Sequence, residues 1–252
     1  MGYLFNECEL MTTFGVHARN GAHPVVIAHR GASHDEPENT LVAFIRAAEM
    51  GAHGVELDAR LTSDGVVVVH HDPALADGRS IDVTLATDLP EHVPTLASVL
   101  ESCVAHGLAV NVEIKVDEPE PQPGDWATLT VAVVEHLRSC PGDYLVTSFS
   151  EACVAGVRAL APETPTGQLG FALPDAATFV GLAAAEGHAT VNPWDPMVDA
   201  ALVGLAHEAG LAVHVWTVDE PGRMVELAAL GVDGIITNRP DVLRAVLGER
   251  PG

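Results

Sequence analysis

The sequence predicts an α/β protein built as a (β/α)8 TIM barrel with a β-hairpin excursion after the second strand. Short apolar runs alternate with helical patterns almost to the end of the chain, the order expected of β-α units around a parallel sheet. Apolar residues make up 48% of the composition and aromatics only 4%. The core must therefore be built from Ala, Val, Leu and Ile, as suits parallel strands buried on both faces. A chain of 252 residues falls within the length that such barrels occupy as one domain. A doubly wound open sheet is the alternative, but no G-x-G-x-x-G follows any strand,.

The first strand is expected at 25–29, "VVIAH", followed by a helix at 39–50. In that helix Leu41, Phe44, Ile45 and Ala48 fall at i, i+3, i+4 and i+7, with Asn39 available as a cap and Gly51 just past the end,. The second strand covers 54–58. Only seven residues separate it from the apolar run at 66–71, whereas a parallel crossover needs about a dozen or more. The turn signal "SDG" lies between them, so the run should fold back as a hairpin rather than join the wall. The remaining strands are expected at 109–115, 144–148, 166–170, 189–192, 212–217 and 234–237. Helices should lie at 95–106, 126–139, 151–160, 175–187, 196–209, 220–230 and 239–248. Residues 1–23 show no apolar periodicity and are expected to form a loosely ordered N-terminal leader, with 24–252 as a single barrel domain,.

The formal charge of −23 argues against a nucleic-acid partner, because phosphate backbones are held by clustered Lys and Arg. Cys8, Cys103, Cys140 and Cys153 contain no C-x-x-C pair, which points to neither a zinc site nor a disulfide framework. No basic segment leads into an apolar core at the N-terminus, and no run reaches membrane-spanning length,. A cytoplasmic protein without stable membrane association is the expectation.

Residues two apart in a strand share a face. Within "VELDA", Glu56 and Asp58 point one way and Val55 and Leu57 the other; within "NVEIK", Asn111, Glu113 and Lys115 share one face and Val112 and Ile114 the opposite one. If the apolar members pack under helices, the polar members face the barrel axis near the strand ends, where barrel active sites are found. Carboxylates a few ångströms apart raise one another's pKa unless a cation holds them ionised, and a hard divalent ion with oxygen ligands meets that need. Any one of these acids is equally well explained as a buried ion-pair partner; the set of three is not. His29 and His71 add two imidazoles, suited to general acid-base work near neutral pH,.

The stretch "HRGASHDEPENTLVAFIRAAEMGAHGVELDARLTSDGVVVVHHDPAL" resembles the opening half of the glycerophosphodiester phosphodiesterase family, which joins His-Arg, Glu-x-Asp and a later His-Asp. The similarity continues through "VPTLASVLE", "NVEIK", "VTSFS", "VHVWTVDE" and "GVDGIITNRP", about residues 24–245. The resemblance implies that Glu56, Asp58 and Glu113 ligate a divalent metal, Mg2+ or Ca2+ with Mn2+ a further option. His29 and His71 would be the acid-base pair, Arg30 and Lys115 would bind phosphate oxygens, and Trp216 would wall the alcohol side. Assigning His71 rather than His70 rests on its position before Asp72. Glu38 and Asn39, within the family's Pro-Glu-Asn-Thr, either orient the site or start the helix, while Asp35 and Glu36 read as solvated loop residues. Asn238 stands where Asp is usual, without consequence if the residue only caps the last helix. Residues 73–93 lack the Arg-Thr-Thr that many relatives carry after His-Asp-Pro.

The implied activity is metal-dependent hydrolysis of a small-molecule glycerophosphodiester to sn-glycerol 3-phosphate and an alcohol, with water or a neighbouring substrate hydroxyl as nucleophile. A phospholipase D-like enzyme acting on lysolipids and a non-catalytic phosphodiester-binding barrel are the alternatives. The paired imidazoles disfavour the last, since binding alone does not need them.

Overall fold

The computed structural model describes residues 13–15, 23–116, 125–171 and 175–248. In chain order the strands are β1 (Val25–His29), β2 (Gly54–Leu61), β3 (Val67–Val69), β4 (Ala109–Ile114), β5 (Tyr144–Ser148), β6 (Thr166–Gly170), β7 (Thr190–Pro193), β8 (Ala212–Val215) and β9 (Gly234–Thr237). The helices are α1 (Leu41–Glu49), α2 (Leu96–Ala105), α3 (Asp125–Ser139), α4 (Glu151–Leu160), α5 (Ala176–Glu186), α6 (Ala200–Glu208), α7 (Pro221–Leu230) and α8 (Pro240–Val246).

Eight strands pair in parallel in the order β1-β9-β8-β7-β6-β5-β4-β2, and β1 pairs with β2 to close the barrel. The ninth, β3, runs antiparallel on the extension of β2, with Ala59 opposite Val69 and Leu61 opposite Val67. The hairpin excursion is therefore present, and the barrel is the (β/α)8 fold that the alternation predicts. Most differences in element length come from capping. Helix α1 starts at Leu41 because Thr40, not Asn39, caps it, its Oγ1 accepting from Ala43 N at 3.2 Å. Helix α6 starts four residues later than expected, at Ala200, because 195–197 form a 3-10 turn and Asp199 supplies the cap.

Side chains on the outer face of the wall form two apolar layers. Val55, Leu57, Val110, Val112, Ile114 and Val146 belong to one, together with α1 to α4 residues such as Phe44, Leu100 and Val133. Val26, Val191, Val213, Val215 and Ile235 belong to the other, with α5 to α8 residues such as Val180, Leu202 and Leu243. The inner face is graded along the axis. Val25, Ile27, Ala109, Leu145 and Ile236 pack together inside the lower barrel, and polar side chains take over towards the carboxyl ends. Small residues make room for this filling: a Cβ on Gly167 of β6 would lie 2.2 Å from Thr190 Oγ1 and 2.6 Å from Asn192 Oδ1.

Most of the expected leader lies outside the described residues, but Thr13, Phe14 and Gly15 are described. Thr13 N–H donates to the Asp143 carboxylate at 2.6 Å. Phe14 is buried in the inner cluster, its ring centroid 5.8 Å from that of His214. Phe14→Ala should cost about 3 kcal/mol of stability, the usual range for emptying a buried aromatic site, seen as a lower denaturant midpoint; an unchanged midpoint would show that the ring contributes no packing.

His214 is completely buried, and neither ring nitrogen has a well-formed hydrogen bond. Burial holds its pKa down to about 4 from 6.5, against the partial opposition of Asp233 and the Phe14 backbone. The unfolded chain regains the ordinary value, so between pH 6.5 and 4 it binds a proton that the folded state does not. Stability should fall as pH drops through that window, by on the order of 3 kcal/mol at most. His214→Leu should flatten the pH dependence of the denaturation midpoint over this range. The residual slope combines His188, which burial and Arg158 also hold to about 4, and the lowered His29 with the opposing contribution of the raised Glu56 and Glu113,.

Candidate active site

Strand register gathers the site. His29 on β1 pairs with Glu56 on β2, and Asp58 on β2 pairs with Glu113 on β4. Because Val55, Leu57, Val112 and Ile114 are drawn outward into the helical layer, the alternation turns Glu56, Asp58 and Glu113 inward at the carboxyl ends of their strands. One carboxylate oxygen from each of these three residues lies within 4.8 Å of the other two. Glu56, Glu113, His29, Arg30, His71, Asn111, Lys115, Thr147 and Trp216 line a cleft of about 120 Å³.

Burial pushes the Glu56 carboxyl well above its usual range, and the neighbouring Asp58 and Glu113 push it further. Glu113 is raised for the same reasons, burial first and Asp58 second. Asp58 goes the other way: burial raises it, but Lys115, Arg30 and the Asn39 amide outweigh burial and hold it below the usual value. Its Oδ2 faces Arg30 Nε at 3.1 Å and accepts from Asn39 Nδ2 at 2.7 Å. The other oxygen, Oδ1, is buried without a hydrogen bond and faces the Lys115 ammonium at 3.4 Å. An all-oxygen set with one such oxygen left over, and with Glu56 and Glu113 raised by burial and by neighbouring carboxylates, fits a hard divalent cation,.

Asn39 is thus a site residue. Its backbone takes the left-handed conformation, φ 57°, which Asn tolerates better than most residues. That geometry turns its amide towards Asp58 and leaves the helix cap to Thr40. Asp35 is exposed and Glu36 half-buried on the loop before α1.

The two imidazoles are held differently. His29 Nδ1 lies 2.7 Å from Asn238 Oδ1, with Nε2 3.9 Å from Glu56 Oε2. Burial and the Arg30 charge lower its pKa. His71 Nδ1 lies 2.7 Å from the Asp72 carboxylate. Of the adjacent pair, His71 lines the cleft, while His70 turns its Nδ1 to the Asp72 carbonyl at 2.9 Å. Helix α8 is preceded at its cap position by Arg239; Asn238 instead spends its side chain on His29. A three-residue stretch of sequence around Asn238 holds no sign of that contact, which crosses 209 positions.

Arg30 also adopts a left-handed φ, 56°, and its backbone N–H donates to Glu56 O and to Glu56 Oε2, at 2.9 and 3.1 Å. Its guanidinium spans from Asp58 to Glu38, where Nη1 meets the carboxylate at 2.9 and 3.0 Å. Lys115 Nζ donates to Glu113 Oε1 at 2.8 Å. Both cations line the cleft while neutralising its acids. Across from them stands an aromatic wall: Trp216, anchored by Nε1 donating to Asn192 O at 2.7 Å, meets Phe149 edge-on at 5.8 Å and Phe171 at 6.4 Å. Phe149 and Phe171 are 51% and 56% exposed, a rim that the sequence reading did not include.

Residues 29–242 match the model of the glycerophosphoryl diester phosphodiesterase family. The chain is similar to a glycerophosphodiester phosphodiesterase of Caldanaerobacter subterraneus, 32% identical over 87% of this chain and 96% of that one. It is similar to another of the same name from Bacillus subtilis, 30% identical over 88% of this chain and 86% of the relative. Among solved structures, a phosphodiesterase of Oleispira antarctica in complex with the product sn-glycerol-3-phosphate superposes with a TM-score of 0.82, at 28% identity, covering 90% of this chain and 97% of that chain.

Residues that orient metal ligands typically carry a tenfold to hundredfold share of metal affinity. If Asp58 ligates the cation, as the resemblance implies, Asn39→Ala should weaken Mg2+, Ca2+ or Mn2+ binding by about tenfold or more in a calorimetric titration, by releasing that carboxylate. Unchanged affinity would mean that Arg30 and Lys115 suffice to hold that carboxylate.

Proposed function

The chain belongs to the glycerophosphoryl diester phosphodiesterase family, and from that premise we propose that it hydrolyses small, water-soluble glycerophosphodiesters to sn-glycerol 3-phosphate and an alcohol with the help of a divalent cation. One observation carries this reading: two imidazoles and two cations share a single cleft with Glu56 and Glu113, two members of a three-carboxylate cluster whose third, Asp58, is buried beside them. Glu56, Asp58 and Glu113 would hold the cation, which when bound supplies positive charge for the phosphoryl oxygens.

The protein's own groups account for the proton traffic. The attacking oxygen, from water or from a neighbouring substrate hydroxyl that forms a cyclic phosphate to be opened by water in a second step, must lose a proton as it bonds to phosphorus. The P–O bond to the departing alcohol then breaks, and its oxygen must gain one. His29, kept towards the neutral form by burial and Arg30, suits the first role. His71, backed by the Asp72 carboxylate, suits the second. Arg30 and Lys115 line the same cleft, and the five N–H groups of a guanidinium leave capacity for phosphate beyond its carboxylate partners.

A second reading, phospholipase D-like action on lysolipids, draws on the exposed Phe149 and Phe171 at the mouth and on Val83 and Leu85 in the excursion, 74% and 48% exposed. Against it stands the net charge of −23, which an anionic lipid surface repels. Among the described residues, no helix is long and apolar enough to cross a membrane.

Turnover of glycerophosphocholine, glycerophosphoethanolamine and lysophosphatidylcholine should be compared with Mg2+, Ca2+, Mn2+ or chelator. The soluble diesters should react faster, and chelator should abolish the reaction. His29→Ala and His71→Ala should each cost roughly a hundredfold or more, with the double variant little worse than either, and His70→Ala should be mild. Full activity in chelator would sink the metal-dependent reading; faster lysolipid turnover would favour the phospholipase.

A further inference from the structure

Behind His29 lies a run of hydrogen bonds that the reaction as described does not use. Asn238 Nδ2 donates to Asp219 Oδ2 at 2.7 Å, and Asn238 N donates to Asp219 Oδ1 at 2.8 Å. Asp219 Oδ1 also accepts from Thr237 Oγ1 at 2.9 Å, so the carboxylate is held from three directions. A carboxylate can only accept, which requires the amide NH2 of Asn238, not its oxygen, to face Asp219. The oxygen must then face His29, where Ser33 Oγ also lies 2.8 Å from it and 2.7 Å from the His29 carbonyl, sharing its one proton between two acceptors,. An amide oxygen too can only accept, so the His29 nitrogen 2.7 Å away carries the proton,. In the neutral ring the lone pair is left on Nε2, on the Glu56 side,.

We propose that Asn238, oriented by Asp219, is the positioning residue that fixes His29 in its Nδ1–H tautomer and aims the Nε2 lone pair into the cleft. The effect on turnover rests on the phosphodiesterase reading; the tautomer does not. The pair also has a chemical constraint of its own, since one member must donate and the other accept. Aspartate at 238 alone would set two carboxylates against each other across the 2.7 Å contact, while exchanging both side chains restores one amide facing one carboxylate and keeps an acceptor on His29.

Three variants test this in the full chain with Mg2+ present: Asn238→Ala, Asn238→Asp, and Asn238→Asp combined with Asp219→Asn. Ring nitrogen shifts of His29, assigned by difference against His29→Ala, report the tautomer, and glycerophosphocholine turnover reports the consequence. Circular dichroism checks folding. The expected result is an Nδ1–H signature in the parent, loss of that single tautomer in Asn238→Ala, and a fall in kcat of about tenfold or more with KM changed less than twofold. Asn238→Asp alone should lose activity, and the exchanged pair should recover most of it. A parent His29 protonated at Nε2, or an unchanged tautomer in folded Asn238→Ala, would overturn the assignment. So would an exchanged pair that is folded and no more active than Asn238→Asp alone. If the parent turned over no phosphodiester, the functional reading would fall while the nitrogen shifts still decided the positioning role.

Discussion

Three carboxyl groups brought within 4.8 Å of each other at one end of a barrel set the terms for everything around them. Like charges in a buried place repel, and the chain meets that cost with several devices at once. Arg30 and Lys115 draw Asp58 below its ordinary pKa although it is wholly buried. Asn39 leaves the helix-cap role to hold the same carboxylate. Glu56 and Glu113 stay raised, and a bound dication would favour their ionised forms. The protein cations only part-balance the cluster, and that shortfall is what the proposed divalent cation would meet.

The barrel makes such crowding tolerable because its interior is graded. Along β1 the inward positions run Val25, Ile27, His29: the first two pack in the apolar cluster with Leu145, Ile236 and Phe14, and the third opens into the cleft. Apolar filling below anchors the strands rigidly, and polar groups are delivered only at the ends. The outward residues between them bind the helices. One alternating pattern therefore serves both stability and chemistry.

The imidazoles depend on the same economy. His71 leans on the neighbouring Asp72, a partner supplied by the next residue. His29 leans on Asn238 from the opposite end of the chain, which is possible because β1 and β9 pair side by side as the barrel closes. One histidine is backed by a charged carboxylate and the other by a neutral amide, an asymmetry that suits a reaction in which one group takes a proton while the other gives one.

Much of this was legible in the sequence for local reasons. The alternation in "VELDA" and "NVEIK" sorts inward acids from outward aliphatics, because strand geometry has a period of two. The seven residues after Asp58 exclude a parallel crossover by reach alone,, and β3 does run antiparallel. The barrel and the acid cluster follow from those constraints. Partnerships between distant elements do not. That Asn39 reaches Asp58 rather than capping α1, that Asn238 backs His29, that Arg30 faces Asp58, and that Phe14 enters the inner cluster beside His214 depend on strand register and on which side chains closure brings into contact. Local sequence encodes which face a residue occupies; only the closed barrel decides what stands opposite it.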